Sequence, residues 1–99
     1  MQIGIKVGQP SHLNTQFFIM HYVYLIRSKI NSEKTYIGYT TDVNERLEKH
    51  NSGGSVHTAN FRPWQLISYI AFDTKEKALS FEQYLKVGSG HAFAQKRFW

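Results

Sequence analysis

The chain has 99 residues, no cysteine, 41% hydrophobic residues, and a formal charge of +5 from twelve Lys and Arg against seven Asp and Glu. This length supports one domain with a single core, and seven Phe, six Tyr and two Trp exclude a disordered chain. The lack of cysteine excludes a disulfide scaffold and a thiolate metal site and suits a reducing, cytoplasmic setting, while no apolar run approaches the ~20 residues of a membrane-spanning helix. The basic excess points to anionic partners, with nucleic acid the commonest.

Residues 1–19 mix Gly, Pro, Ser, Asn and Gln with isolated aliphatics and show no helical period. They read as a loose extension ahead of a domain spanning 20–99, whose natural start would be Met20. The apolar run Phe17-Phe18-Ile19-Met20 is too short for a signal-peptide core. Next come two runs rich in β-branched and aromatic residues, Tyr22-Val23-Tyr24-Leu25-Ile26 and Thr35-Tyr36-Ile37-Gly38-Tyr39, on either side of a polar connection. They predict a β-hairpin. Alternation puts Tyr22 and Tyr24 on one face of the first strand, and Tyr36 and Gly38 on one face of its partner.

A helix follows, capped by Thr41 or Asp42, with Asp42 and Glu45 at capping-box spacing. Val43, Leu47 and His50 share one of its faces and Arg46 lies at the edge, one turn before His50. In ordinary structural terms Arg46 would pair with Asp42, and His50 would be a cation favoured by the helix C-terminal dipole. The run Asn51-Ser52-Gly53-Gly54-Ser55 ends this helix. Val56 to Pro63 reads as a loop, and His57, Thr58, Asn60 and Arg62 in it are donors suited to phosphate oxygens.

Trp64 to Phe72 predicts a third strand, with Leu66, Ser68, Ile70 and Phe72 on one face and Ile67, Tyr69 and Ala71 on the other. Both faces are largely apolar, which suggests a central strand covered on both sides. Asp73 or Thr74 then caps a helix running to about Lys86. Its apolar stripe is Ala78, Leu79, Phe81, Tyr84 and Leu85, and Glu82 falls on that stripe. A carboxylate there needs a cation, a metal or hydrogen bonds, and Lys86 or Lys75 is the ordinary structural partner. Val87-Gly88-Ser89-Gly90 should break the helix, and His91 to Trp99 should form a short basic one.

In this order and spacing the motifs resemble the GIY-YIG nuclease family. Tyr22-Val23-Tyr24 takes the place of the Gly-Ile-Tyr element, and Tyr36-Ile37-Gly38 matches the second. Arg46 follows Gly38 by eight within Gly-Tyr-Thr-Thr-Asp-Val-Asn-Glu-Arg, and Glu82 lies in Ala-Leu-Ser-Phe-Glu-Gln-Tyr-Leu-Lys. The likeness covers roughly residues 20 to 97 and is to the short, stand-alone bacterial members. It departs at Tyr22, where the element's name has Gly, and the Lys-Val-Gly-Ser-Gly-His segment matches less clearly.

The resemblance implies an α/β (α+β) fold, a small three-stranded, mainly antiparallel sheet flanked by helices. It also implies a metal-dependent endonuclease acting on DNA, with Tyr36 as general base, Tyr24 orienting water or base, Arg46 on the phosphate, and His50 in a lesser catalytic role. Residue chemistry agrees. An Arg fork grips phosphate oxygens, and the lone inward Glu82 suits one Mg²⁺ or Mn²⁺ better than a two-metal site. A phenol ordinarily titrates near ~10, so a tyrosine base needs a cation beside it or a relay. Arg27, Lys49, His57, Arg62, Lys86 and Lys96 are the candidate nucleic-acid contacts, and no small-molecule cofactor or membrane partner is implied. Two rivals stand beside this reading: a non-catalytic nucleic-acid-binding module of the same fold, and a protein-interaction domain marked by exposed Trp64 and Trp99.

Overall fold

The computed structural model describes residues 19–99, so the expected extension lies outside the described residues except for Ile19. The hairpin forms as β1 (His21–Ser28) and β2 (Thr35–Thr40), and is followed by α1 (Val43–Asn51), a single 3-10 turn (Ala59–Phe61), β3 (Trp64–Phe72), α2 (Lys75–Lys86) and α3 (Gly88–Arg97). The sheet order is β2-β1-β3 and both pairings are antiparallel. This is the α+β architecture that the sequence implied.

The central strand is β1, not β3 as the apolar run at 64–72 suggested. The reason lies in β1 itself, where Tyr22 to Ile26 are all at most 3% exposed. One face of the sheet carries Tyr22, Tyr24 and Ile26, which pack with Val43 of α1 and with Trp64. The other carries Val23 and Leu25, which pack with Ala78 and Leu85 of α2 and Ala94 of α3. One core is thus split by the sheet into two layers, with α1 on one side and α2 and α3 on the other.

The expected faces of β3 hold only in part. Ser68 pairs with Leu25 and Leu66 with Ile26, so Ile67 is an extra residue in the ladder and the alternation changes phase there. Leu66 therefore packs on the α1 side, while Ile70 and Phe72 pack on the α2 side. Trp64, expected as an exposed interface residue, is 4% exposed and donates its indole N–H to the Thr58 carbonyl at 2.8 Å. Trp99 is half-buried against the α2 layer.

Helix boundaries follow local chemistry. The Asp42 side chain accepts from the Glu45 amide at 3.0 Å, and Thr74 caps α2 by accepting from Lys77. The final helix starts three residues earlier than the glycines suggested. Only Val87 separates the two helices, and Gly88 opens α3 with a φ of +56°. Gly90 is a packing residue, because a Cβ there would collide with the Tyr84 carbonyl.

Candidate active site

The site grows from the cross-strand pair Tyr24 and Gly38. A Cβ at position 38 would stand 2.5 Å from the Tyr24 hydroxyl and 2.6 Å from the ring carbon that bears it. Glycine is therefore required if the Tyr24 ring is to lie flat across β2. The diagonal neighbour Tyr36 places its ring centroid 6.2 Å from that of Tyr24. Helix α1 brings His50 against both phenols, at centroid distances of 5.7 Å and 5.0 Å.

A hydrogen-bonded chain then fixes the protons. His50 Nδ1 lies 2.8 Å from the Thr58 hydroxyl, and His50 Nε2 lies 2.8 Å from the Tyr24 hydroxyl. Thr58 donates onward to the Ser55 carbonyl, an obligatory acceptor, at 3.4 Å. Thr58 Oγ1 is then the acceptor for Nδ1–H, Nε2 is bare, and the Tyr24 hydroxyl donates to it. Asn51 holds the loop that carries Thr58 in place, by accepting from the Trp64 amide and donating to the Trp64 carbonyl.

The electrostatics agree with this assignment. Burial pushes the Tyr24 phenol up to about 12, with Tyr36 adding to the rise, Arg46 opposing it and the Glu82 carboxylate adding a little. Burial lowers the His50 pKa, and the Arg46 and Lys49 charges lower it further. His50 is thus a neutral, 1% exposed acceptor and not a cation on the helix dipole. With both nitrogens engaged it does not reach out to a phosphate; it holds Tyr24.

Arg46 has a different status. No ion pair joins it to Asp42; among the described residues the ion pairs are Asp73–Lys77 and Glu82–Lys86. Its Nε is buried and has no hydrogen-bond partner. A buried donor left unpaired on a charged group costs on the order of 1–3 kcal/mol or more, which an incoming anionic oxygen would relieve. The charge of the Glu82 carboxylate on α2 is also felt, weakly, by the Tyr24 phenol. Its side chain is 14% exposed and bonded to Lys86 at 3.0 Å, so the ordinary lysine partner and the inward position are both realised.

The candidate nucleic-acid contacts are scattered. Lys49 is exposed at the end of α1, and its charge is felt by His50. His57 is exposed in the following loop, and Arg62, also exposed, donates Nε–H to the Ala59 carbonyl at 2.7 Å in a cleft with Asn51, Asn60 and Pro63. Lys86 borders the site through Glu82, and Lys96 is exposed on α3. Arg27 lies on the α2 side of β1 with its guanidinium 5.2 Å above the Trp99 ring. Thr58, read as a phosphate donor, is 1% exposed and spent on His50. Its true role had no sequence signal, because nothing in the spacing of a loop threonine tells which helix it will underlie.

Residues 20–93 match the family model for the GIY-YIG catalytic domain. The chain belongs to the GIY-YIG family. Among its relatives, a UPF0213 protein of Haloquadratum walsbyi is 43% identical over 67 residues, covering 67% of this chain and 73% of that one. A UPF0213 protein of Staphylococcus saprophyticus is 41% identical over 70 residues, covering 70% and 83%. The solution NMR structure of a UPF0213 protein from Bacillus halodurans aligns at 38% identity over 79% of this chain and 82% of that one, with a TM-score of 0.47. The GIY-YIG assignment makes this a member of a nuclease family. No helix among its described residues is long and apolar enough to cross a membrane.

Proposed function

We propose that the protein is a metal-dependent endonuclease hydrolysing phosphodiester bonds of DNA. The observation that carries this reading is the buried, unpartnered Nε of Arg46, whose charge is felt by the Tyr24 phenol together with those of Tyr36 and Glu82. Its N–H gains a partner when a phosphate oxygen arrives, so the guanidinium is worth more to the bound, charge-rich phosphorane than to the free protein.

The donor set fits a hard divalent cation. Glu82 supplies one carboxylate, and among the described residues no group of three His, Asp or Glu could enclose an ion. A single carboxylate suits Mg²⁺ or Mn²⁺, which keep most of their water. Such an ion, held by Glu82, would supply positive charge against the phosphate and its leaving oxygen.

The protein's own groups do the rest. Tyr24 keeps its proton, because its phenol is pushed far above neutrality and its hydroxyl is committed to His50. It orients and does not deprotonate. Tyr36, half-buried and edge-on to His50, is the phenol left to act as base: its own proton passes first to solvent, and the phenolate then takes a proton from the attacking water. The water oxygen bonds to phosphorus, the opposite P–O ester bond breaks, and solvent protonates the leaving oxygen. His50 and Thr58 act through Tyr24 as positioning residues. The exposed Lys49, His57, Arg62 and Lys96 would supply sequence-independent backbone contacts.

Incubation of supercoiled and branched DNA with Mg²⁺ or Mn²⁺ tests the proposal. Nicking or cutting is expected, with a fall of about 10²–10³-fold in Arg46→Ala, as for loss of one charge-stabilising donor, and a comparable loss in Glu82→Ala. Cleavage that survives both substitutions would sink the assignment. Salt-sensitive DNA binding without cleavage in any metal would favour the non-catalytic module.

A further inference from the structure

Two carboxylates in α2 and its approach are each held by a lysine four residues on, at the same 3.0 Å, yet they are not alike. In Asp73–Lys77 both side chains are more than 60% exposed. In Glu82–Lys86 the carboxylate is 14% exposed and the lysine 41%. The first is an ordinary surface pair. In the second, a flexible cation reaches in to a carboxylate that solvent barely touches. Lys86 also lines a cavity of about 290 Å³ together with Tyr36, His91, Gln95 and Trp99.

We propose that Lys86 is a placeholder cation for Glu82, holding the carboxylate oriented and giving it up when a divalent ion binds. The released ammonium then moves into the cavity beside Tyr36, where it meets the substrate phosphate. This rests on the reading of Glu82 as the metal-holding residue.

Three features support an exchange over a permanent bridge. A carboxylate this shielded needs a compensating charge at all times, so some cation must stand in. The charge supplied is a lysine, a compact point charge on a four-carbon stem, and not the bidentate arginine fork that would lock the carboxylate. The lysine end is exposed, so the pair is weak and easily opened. The i,i+4 spacing keeps the displaced ammonium within a few ångströms of the site it has left. Lys86 is thus a positioning residue that tunes metal affinity.

The test reads metal binding, not turnover. Mn²⁺ titrated into the ¹⁵N-labelled full chain should broaden amides around Glu82 in α2, and Glu82→Gln should abolish that local effect. Lys86→Met should bind Mn²⁺ about two- to fivefold more tightly than wild type, since the ion no longer displaces a partner. Lys86→Arg should bind no more tightly than wild type. The same spectra show whether each variant is folded, and an exposed side chain on a helix tolerates both changes. Equal or weaker Mn²⁺ affinity in Lys86→Met overturns the exchange and leaves Glu82 as the metal residue. No broadening near Glu82 in either wild type or Lys86→Met overturns the metal reading and the exchange with it.

Discussion

The two faces of β1 are equally dry and do opposite work. Toward α2 and α3, Val23 and Leu25 are fully buried against Ala78, Leu85 and Ala94, and these side chains have no polar atom to satisfy. Toward α1, Tyr22, Tyr24 and Ile26 are at most 3% exposed, but Tyr24 brings a hydroxyl that must be met and α1 brings Arg46 and His50. One face answers only to volume. The other answers to proton positions, and it leaves one buried donor unpaired. Burial alone therefore does not separate scaffold from site; the state of the polar atoms does.

The largest expected effect tests that division. Leu25→Ala removes a fully buried side chain between strand and helices and should cost about 2–5 kcal/mol in urea unfolding. Arg46→Met should be close to neutral or slightly stabilising, because it removes the orphaned Nε while keeping an apolar stem of similar length. If Arg46→Met destabilises as much as Leu25→Ala, Arg46 is part of the scaffold and the contrast between the faces collapses.

A second effect belongs to the polar face alone. The Tyr24 phenol is raised from about 10 to about 12, first by burial and then by Tyr36. The folded state thus holds this proton more tightly than the unfolded state. Its contribution is complete below pH 10 and is lost as the pH climbs from 10 toward 12, amounting to roughly 2–3 kcal/mol. Denaturation midpoints followed across that range should fall more steeply in wild type than in Tyr24→Phe. Parallel slopes would mean that the Tyr24 hydroxyl is not held as the geometry implies.

How much of this was readable in advance depends on the range of the interaction. The Asp42 cap and the helix carrying Arg46 and His50 rest on contacts within a few residues, and the hairpin joins runs adjacent in the chain, so spacing revealed them. The place of β3 was missed because its apolar run suggests burial on both faces, whereas Tyr69 is 46% exposed at the sheet edge. Its phase was missed because one inserted residue, Ile67, leaves no mark in a sequence already apolar at both parities. The site splits in the same way. Tyr24, Tyr36, Arg46 and Glu82, the residues proposed for the chemistry, have side chains suited to it and sit in recognisable order. Thr58 matters only for what it touches, and Gly38 only for what it leaves room for, and both facts are products of the tertiary fold. The glycine at 90 looked like a helix breaker for the related reason that composition does not say whether a missing side chain serves a turn or a contact.

The smallest effect is the sharpest probe of the proton chain. Neutral His50 accepts from Tyr24 and donates to Thr58; protonated His50 would set an N–H against the Tyr24 hydroxyl proton and leave a charge in a 1% exposed position. Its pKa is lowered, by burial first and then by Arg46 and Lys49. Between the folded pKa and the unfolded value near ~6.5 the unfolded chain binds more protons, so stability rises with pH across that window. It is complete above about 6.5 and is lost as the pH falls toward the folded pKa. His50→Gln keeps a donor and an acceptor but cannot titrate, so the difference in unfolding free energy between wild type and variant should shrink from pH 7.5 to pH 5. The other described histidines, His21, His57 and His91, are common to both proteins and cancel. A difference that is constant with pH would show that His50 is not the neutral link, and the buried Tyr24 hydroxyl would then need another acceptor for its proton.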